Sequence, residues 1–273
     1  MLYNGIMYLC IDIGGTKTLV ALVNARGKIL HSVKFETPVD QKKFYELLLE
    51  QIRINFVTSE VIAFGVAMPG IVKDNRAVWL GNLPWKSFDI AHKLEKDFKL
   101  PAFVENDANL AALAETRRVY HKNVYYTFST GIGGGVTLGG KLSNKYRDFE
   151  PGHEKYLYHG KKYEWEDLAA ASAVRARYGK LIKEITDRAS WDDIIERMLL
   201  GLISQTIQLK PDCIIFGGPL GLALPRYRRS LGKRLAHELP KNVRMPRLLK
   251  ARHGSFSVIK GCYLYAKANL KTD

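Results

Sequence analysis

Apolar residues in the N-terminal third of the chain form short runs separated by turn residues, a pattern typical of β-strands. Within Leu9–Val23, two such runs flank the turn Gly14-Gly15-Thr16. This pattern predicts a β-hairpin in which glycine supplies positive φ angles. A third strand is predicted at Ile29–Phe35. Val61–Met68 is almost continuously apolar and predicts a strand buried on both faces.

The remaining apolar pattern alternates between helical and strand-like segments. Helical spacing or composition predicts helices at Gln41–Phe56, Phe88–Phe98, Ala108–Arg118, Asp167–Asp187, Asp192–Leu209, Arg226–Glu238 and Ser257–Leu270. Further strands are predicted at Pro101–Val104, Asn123–Phe128, Val136–Leu138 and Cys213–Phe216, and residues 141–165 are predicted to be irregular. The chain is therefore expected to have an α/β fold in which each domain is a mixed sheet with flanking helices.

One arrangement occurs twice: a strand, a turn rich in glycine and threonine, a second strand and a second turn. It spans Leu9 to Lys28 and again Asn123 to Lys141. A supersecondary unit used twice suggests two related domains that face each other. We expect a small N-terminal domain at 1–115, completed by the C-terminal helix 257–273, and a larger domain at 116–256.

The charge and cysteine content narrow the class of protein. Of the 273 residues, 42 are Lys or Arg and 27 are Asp or Glu, so the formal net charge is +15, which favours contact with polyanions. The three cysteines are far apart in apolar surroundings, as expected in a reduced compartment. With no signal-like or membrane-length apolar segment, the expectation is a soluble cytoplasmic protein without membrane contact.

Three glycine-rich turns, each following an apolar strand, are candidates for a nucleotide site. Backbone N–H groups at such turns suit a phosphate, and a carboxylate just before the first turn suits a hydrated Mg²⁺. The residues concerned are Asp12, Gly14, Gly15, Thr16 and Lys17, then Thr130, Gly131 and Gly133, and finally Gly217 and Gly218 near a nucleoside. Each cluster taken alone is better explained as an ordinary turn, whereas the three together favour nucleotide binding.

Asp107 lies where a predicted strand meets a helix, and it is the candidate catalytic base. The alternative is a helix cap, a role that Asn106 could fill equally well. Much later in the chain, Glu150 and His153 flank a Pro-Gly bend in the loop Phe149–Glu154, and Glu166 lies further on. Such side chains suit sugar hydroxyls, although a solvated loop would have the same composition.

Taken in order, these motifs resemble the ROK family of sugar kinases and related repressors, within the actin-like ATPase superfamily and its ribonuclease H-like fold. The matching motifs are Asp12–Lys17, Val66–Gly70, Asn82–Trp85, Glu105–Asn109, Ala111–Glu115, Ser129–Gly134 and Glu150–His153. The resemblance implies that Asp107 deprotonates a sugar hydroxyl while the glycine-rich turns hold ATP and Asp12 serves Mg²⁺. It also implies a set of sugar-binding residues: Gly70, Asn82, Asn106, Glu150, His153 and Glu166.

Two departures from the family pattern change the expectations. Many members carry a cysteine zinc motif after the Gly-His pair, but here Leu157, His159 and Glu164 occupy the cysteine positions. We therefore expect no structural zinc, and aromatic residues must order this loop instead. A residual metal site at His153, His159 and Glu164 is the alternative. The helix-turn-helix of the family's repressors has no counterpart before the first strand, so no DNA-binding domain is expected.

Many cations crowd one region of the sequence. They are Arg226, Arg228, Arg229, Lys233, Arg234, Lys241, Arg244, Arg247, Lys250 and Arg252. A solvated basic face explains them, as does polyphosphate as a phosphoryl donor beside ATP; nucleic-acid binding lacks a supporting motif. The predicted function is ATP-dependent phosphorylation of a hexose, glucose first and then fructose or N-acetylmannosamine. The alternatives are a polyphosphate-using gluco/mannokinase and a non-catalytic sugar-binding protein, and family precedent suggests a homodimer.

Overall fold

The chain folds into two compact units, Met1–Ala114 with Phe256–Asp273 and Glu115–Ser255. Each unit is built on a mixed five-stranded sheet with helices packed against it, which confirms the predicted α/β class. The computed structural model describes residues 5–56, 60–81 and 83–270.

The first unit contains one large sheet and a small two-stranded one. Its strands are β1 (Met7–Ile13), β2 (Lys17–Asn24), β3 (Ile29–Glu36), β4 (Val61–Met68), β5 (Ile71–Lys73), β6 (Arg76–Trp79) and β7 (Ala102–Asn106). Its helices are α1 (Gln41–Asn55), α2 (Ile90–Phe98), α3 (Asp107–Glu115) and α9 (Ser257–Asn269). The large sheet has the order β3-β2-β1-β4-β7, antiparallel from β3 to β1 and parallel from β1 to β7.

Helices cover both faces of this sheet. On one face, α1 buries Phe44, Leu48 and Ile52, which lie one turn apart on one side of the helix. On the other face, Cys262 of α9 packs with Cys10 of β1. Gly65 of β4 lies so close to the carbonyl oxygen of Cys262 that a Cβ would overlap it. Small residues thus allow α9 to lie directly on the strands whose ends carry the candidate site.

The second unit repeats the pattern of antiparallel and parallel pairs. Its strands are β8 (Lys122–Phe128), β9 (Ile132–Leu138), β10 (Lys141–Leu142), β11 (Lys155–Tyr158), β12 (Lys161–Glu164), β13 (Cys213–Gly217) and β14 (Arg247–Lys250). Its helices are α4 (Trp165–Ala169), α5 (Ala171–Tyr178), α6 (Arg188–Leu209), α7 (Gly218–Leu222) and α8 (Leu224–Glu238). The large sheet has the order β10-β9-β8-β13-β14, with β8, β13 and β14 parallel.

Trp165 lies at the centre of the second unit's core. It is fully buried, and its ring meets those of Tyr126 and Phe128 edge-on at centroid distances of 5.6 and 5.5 Å. Its Nε1 donates a hydrogen bond of 3.2 Å to the carbonyl oxygen of Arg197 on α6. A Cβ on Gly201 of α6 would overlap the indole ring. The residues on either side of Trp165 are therefore held by a rigid anchor.

Several local predictions are wrong. Residues 141–165 are not irregular throughout, since they include the β11–β12 hairpin. The segment Asp167–Asp187 is not one helix, because extended Ala170 separates α4 from α5 and left-handed Gly179 ends α5. The predicted positive φ angles at the first turn are also absent, since neither Gly14 nor Gly15 is among the positive-φ residues of the described chain.

No helix in the described ranges is long and apolar enough to cross a membrane.

Candidate active site

The first unit presents an exposed hairpin tip between β1 and β2. The N–H of Gly14 donates to the carbonyl oxygen of Lys17 (3.0 Å), which closes a four-residue turn without any positive φ. Among the described residues, the N–H groups of Gly15 and Thr16 donate no hydrogen bond, and both residues are exposed. Two free amides at the end of a strand suit an anion such as a phosphate.

Thr37 fixes the shape of this tip. Its hydroxyl donates to the carbonyl oxygen of Gly14 (2.8 Å), its backbone N–H donates to that of Thr16 (2.9 Å), and its Oγ1 lies 2.9 Å from Thr18 Oγ1. The carbonyl groups of the tip are therefore tied back towards β3. The sequence patterns did not single out Thr37, because its partners lie about twenty residues earlier in the chain.

Two carboxylates stand at the carboxyl ends of parallel strands in the same unit. Asp12 is the penultimate residue of β1, and Asp107 directly follows β7. Burial, followed by the charge of Asp107, raises the pKa of Asp12 to about 7, with Lys34 acting in the opposite sense. Burial also raises the pKa of Asp107 to about 6. Two desolvated carboxylates of like charge are characteristic of a functional site.

Asn106, and not Asp107, caps helix α3. Asn106 Oδ1 accepts from the N–H of Asn109 (3.0 Å), and its Nδ2 donates to the carbonyl oxygen of Gly70 (2.7 Å). Asp107 Oδ1 accepts from the N–H of Ala108 (2.7 Å), while no described residue donates to its Oδ2. The cap and the candidate base are thus two different side chains, which leaves one oxygen of Asp107 for a substrate.

Gly70 occupies a position that requires glycine. Its φ is +83°, and a Cβ would overlap the carbonyl oxygen of Trp79 on β6. Its own carbonyl is held by Asn106, so the loop after β4 is fixed against the start of α3. Asn82, the neighbouring predicted sugar ligand, lies outside the described residues.

The second unit carries the other predicted phosphate turn, between β8 and β9. Thr130 is exposed at its tip, and the N–H of Ser129 donates to the carbonyl oxygen of Gly131 (2.9 Å). Ser172, at the start of α5, donates from its hydroxyl to the carbonyl oxygen of Thr130 and from its N–H to that of Ser129. Gly133 lies within β9 opposite Thr127. As in the first hairpin, a hydroxyl residue from a later segment ties back the carbonyl groups.

A cavity of about 610 Å³ opens beside this turn. Leu181 and Leu222, both more than 40% exposed, supply part of its apolar wall. The lining residues are Ser129, Thr130, Ala171, Ser172, Arg175, Leu181, Ile182, Lys183, Pro219, Leu222, Ala223 and Arg226. The volume and the largely apolar lining with a few polar groups are typical of a small-molecule site.

The predicted glycine pair lies next to this cavity in sequence. Gly217 ends β13, and Gly218 opens α7 with a φ of +69° directly before the lining residue Pro219. A Cβ on Gly218 would overlap the backbone of Phe128. Arg226, which also lines the cavity, donates from Nη1 to the carbonyl oxygens of Lys183 (3.2 Å) and Ile185 (3.4 Å), so these segments are held together.

The predicted sugar motif lies in the same unit. Glu150 precedes a 3₁₀ turn at Pro151–His153, and both ends of the turn carry polar side chains. His153 Nδ1 is 2.9 Å from Glu164 Oε2 and 4.0 Å from Glu166 Oε1. The hydrogen bond to Glu164 is the main cause of the raised pKa of His153, and Glu166 and Glu150 act in the same sense. The structure thus brings three of the predicted sugar ligands together and adds Glu164.

Comparison with known proteins places the chain in a family. The family model described as "ROK family" matches residues 8–269. The chain is 29% identical over 244 residues to a fructokinase of Zymomonas mobilis, an alignment that covers 78% of this chain and 79% of that protein.

Two solved structures are similar over nearly the whole chain. A ROK hexokinase from Thermus thermophilus is 28% identical with a TM-score of 0.77, covering 97% of this chain and 99% of that one. A ROK glucokinase from Streptomyces griseus, in complex with glucose and AMPPNP, has a TM-score of 0.80 at 24% identity, covering 96% and 100%, and this likeness shows the fold alone. The chain belongs to the ROK family, and it has the actin-like ATPase fold of the sugar kinases in that family.

Proposed function

We propose that the protein transfers a phosphoryl group from ATP to a hydroxyl of a hexose. The observation that carries this proposal is Asp107: a desolvated carboxylate with a pKa of about 6 and one oxygen, Oδ2, to which no described residue donates. A base with such a pKa is ionised at neutral pH and accepts a proton readily as an alcohol oxygen attacks phosphorus.

The chemistry assigned to Asp107 is a single displacement. Asp107 takes the proton of the sugar hydroxyl while the oxygen bonds to the γ-phosphorus, and the bond from phosphorus to the β–γ bridging oxygen breaks to release ADP. Phosphoryl transfer depends mainly on positioning and on stabilisation of charge, so the exposed amides of Gly15 and Thr16 are assigned to phosphate oxygens.

Mg²⁺ is the cation that this reaction class uses, and the first unit offers a suitable place for it. Asp12 is a carboxylate whose pKa is raised both by burial and by the charge of Asp107, so a cation there would relieve uncompensated negative charge. We assign Mg²⁺ to Asp12 through water; when bound, it would neutralise charge on the phosphate oxygens.

ATP is the proposed donor because the cavity beside Thr130 has an apolar wall. Leu181 and Leu222 expose large side chains into it, as a flat nucleobase requires, whereas a polyphosphate chain would gain nothing from them. The same cavity carries Arg175 and Lys183, for which no ion-pair partner exists among the described residues. These two cations favour polyphosphate as the second candidate donor.

Glucose is the proposed acceptor, with fructose and N-acetylmannosamine as the next candidates. The proposed ligands are Gly70, Asn82, Asn106, Glu150, His153 and Glu166. Two of these ligands also hold nearby backbone in place, since Asn106 donates a hydrogen bond to the carbonyl oxygen of Gly70 and Glu166 accepts one from the N–H of Ile132. The relatives' names include both a fructokinase and a glucokinase, so a sugar panel is required.

The deciding experiment measures ADP release over a panel of hexoses with ATP, and sugar phosphate formation with polyphosphate in the absence of nucleotide. In Asp107→Asn we expect kcat to fall by about 10³ while the dissociation constant of the sugar changes little. The matched control is Glu46→Gln, which alters an exposed carboxylate on α1. Sugar binding without turnover on any hexose or donor would instead identify a non-catalytic sugar-binding protein.

A further inference from the structure

The loop after His153 does not fit the cysteine zinc motif that the family resemblance implies. All three cysteines are buried elsewhere, in β1, β13 and α9. Leu157, at one of the motif's cysteine positions, is 66% exposed and has no ligating atom. Ligand atoms of His153, Glu164 and Glu166 lie within 4.8 Å of one another, but they provide one imidazole and two carboxylates and no thiolate.

A β-hairpin occupies this part of the chain. Strands β11 and β12 pair antiparallel from Lys155 opposite Glu164 to Tyr158 opposite Lys161. The two-residue turn consists of His159 and Gly160, with φ angles of +46° and +76°. Positive φ at both central residues is the type I′ pattern, which matches the twist of paired strands. The hairpin is thus stabilised by its own backbone.

Aromatic side chains attach one face of the hairpin to the second unit's core. Tyr156 packs against Trp165 at a centroid distance of 6.4 Å and donates to Glu154 Oε2 (2.7 Å). The ring of Tyr158 lies 4.5 Å below the guanidinium carbon of Arg197 on α6. At the base of the hairpin, the N–H of Trp165 donates to the carbonyl oxygen of Glu154 (2.9 Å). The hairpin is therefore fixed along its length.

Alternation along the strand places Glu164 on the other face. Side chains along β11 and β12 alternate, so Glu164 shares a face with Lys155 and Leu157 and not with Tyr156. Its Oε2 lies 2.9 Å from His153 Nδ1, and its Oε1 is 4.0 Å from Lys155 Nζ. Because Glu164 directly precedes the buried Trp165, its backbone position is fixed.

We propose that Glu164 is a positioning residue that holds the ring of His153 in place of a metal ion. The proposal rests on the proposed function, in which His153 binds the hexose. A carboxylate that accepts from Nδ1–H selects the tautomer and fixes the plane of the imidazole, and with it the direction of Nε2. The raised pKa of His153, with Glu164 as its main cause, agrees with this geometry.

The experiment compares the wild-type protein with Glu164→Ala, Glu164→Gln and the control Lys162→Ala, an exposed residue on the same hairpin. For each protein we would measure bound metal per chain, KM and kcat for the hexose, the melting temperature, and the titration of the His153 ring by NMR. In Glu164→Ala we expect hexose KM to rise about tenfold or more with kcat within about threefold. Glu164→Gln can still accept from Nδ1–H, so it should partly restore KM, while the midpoint of the His153 titration moves to lower pH.

Wild-type protein should contain no stoichiometric zinc or other transition metal, and it should keep its KM when EDTA treatment is followed by removal of the chelator and addition of Mg²⁺. One metal ion per chain that is lost in Glu164→Ala would overturn the proposal, as would an unchanged KM and an unchanged His153 titration in that variant. If the wild-type protein phosphorylates no hexose, the proposed function fails. In that case the metal content and the ring titration still decide the role of Glu164.

Discussion

The backbone N–H of Ile132 donates a hydrogen bond of 3.1 Å to Oε2 of Glu166. This bond joins the predicted phosphate turn after β8 to the segment that carries the predicted sugar motif. A Cβ on Gly131 or on Gly152 would press against the same carboxylate oxygen. Glu166 is therefore packed between the two segments, and its position depends on both. Within the second unit, one carboxylate couples the residues assigned to the donor with those assigned to the sugar.

Glu166→Ala is expected to raise KM for both the hexose and ATP. The substitution removes the acceptor for Ile132 N–H and opens space beside Gly131, so both segments lose a support. Glu166→Gln is the matched control, because its amide oxygen can still accept from Ile132, and it should retain more ATP affinity than the alanine variant. If only the hexose KM rises and the ATP KM stays unchanged, Glu166 supports the sugar site and not the phosphate turn.

Thr37→Val is expected to weaken ATP binding and to lower stability by about 1–2 kcal/mol. The change keeps the shape of the side chain but removes the hydroxyl that donates to the Gly14 carbonyl and contacts Thr18. The tip of the first hairpin then loses one of its ties to β3. Measurement of ATP KM and of denaturant unfolding checks both effects. Thr37→Ser, which keeps the hydroxyl, should behave like wild type; if it is as impaired as Thr37→Val, the hydrogen bonds are not the cause.

Most of the fold, but less of the candidate site, was predictable from the sequence. Buried strands such as Val61–Met68 are continuous apolar runs, so their bounds follow from composition. The first hairpin tip was predicted in place but with the wrong φ angles, because its four-residue turn closes without a left-handed residue. The break between α4 and α5 at Ala170 was not predictable from the spacing of apolar residues, because alanine is a good helix former. Its extended conformation follows from tertiary packing.

Two residues that fix the site, Thr37 and Ser172, were missed, and Glu164 was singled out only in connection with the zinc motif, for a common reason. Thr37, Ser172 and Glu164 each contact a motif that is distant in sequence, at separations of 23, 42 and 11 residues. Motif spacing identifies groups that meet a ligand, whereas such supporting contacts depend on how separate segments pack. Glu164 alone left a signal, since it stands at a position where the family pattern has cysteine.

The activity of the protein should fall on the acid side of neutral pH. Asp107 must be ionised to accept a proton, and its pKa is about 6. We therefore expect kcat/KM for the hexose to be constant above about pH 7 and to fall about tenfold per pH unit well below 6, at saturating ATP and Mg²⁺. The residual activity of Asp107→Asn should lack this acid limb. If the limb persists in that variant, another group controls it.

Replacement of Asp12 by Asn should stabilise the protein at alkaline pH. Burial raises the pKa of Asp12 to about 7, so ionisation in the folded state is unfavourable. A raised pKa contributes stability only while the group is protonated, and that contribution disappears as pH rises from about 4 through 7. Without Mg²⁺, the free energy of unfolding of Asp12→Asn should be higher than that of wild type by on the order of 2 kcal/mol at pH 8. At pH 5 the difference should be much smaller. Denaturant unfolding at both pH values measures the difference, and equal gains at pH 5 and pH 8 would rule out ionisation as the cause.

A bulky residue in place of Ala223 should distinguish between ATP and polyphosphate as the phosphoryl donor. Ala223 is partly exposed and lines the cavity at the junction of α7 and α8, so Ala223→Phe would fill part of the space assigned to the nucleoside. KM for ATP should then rise about tenfold or more, since a side chain of that size removes apolar contacts between protein and nucleoside worth more than about 1 kcal/mol. Polyphosphate has no base to place there, so any turnover that it supports should persist. Ala223→Ser, which leaves the cavity open, is the control for folding. An unchanged KM for ATP in a folded Ala223→Phe protein would mean that the nucleoside binds elsewhere, and Arg175 and Lys183 would then be assigned to another anion.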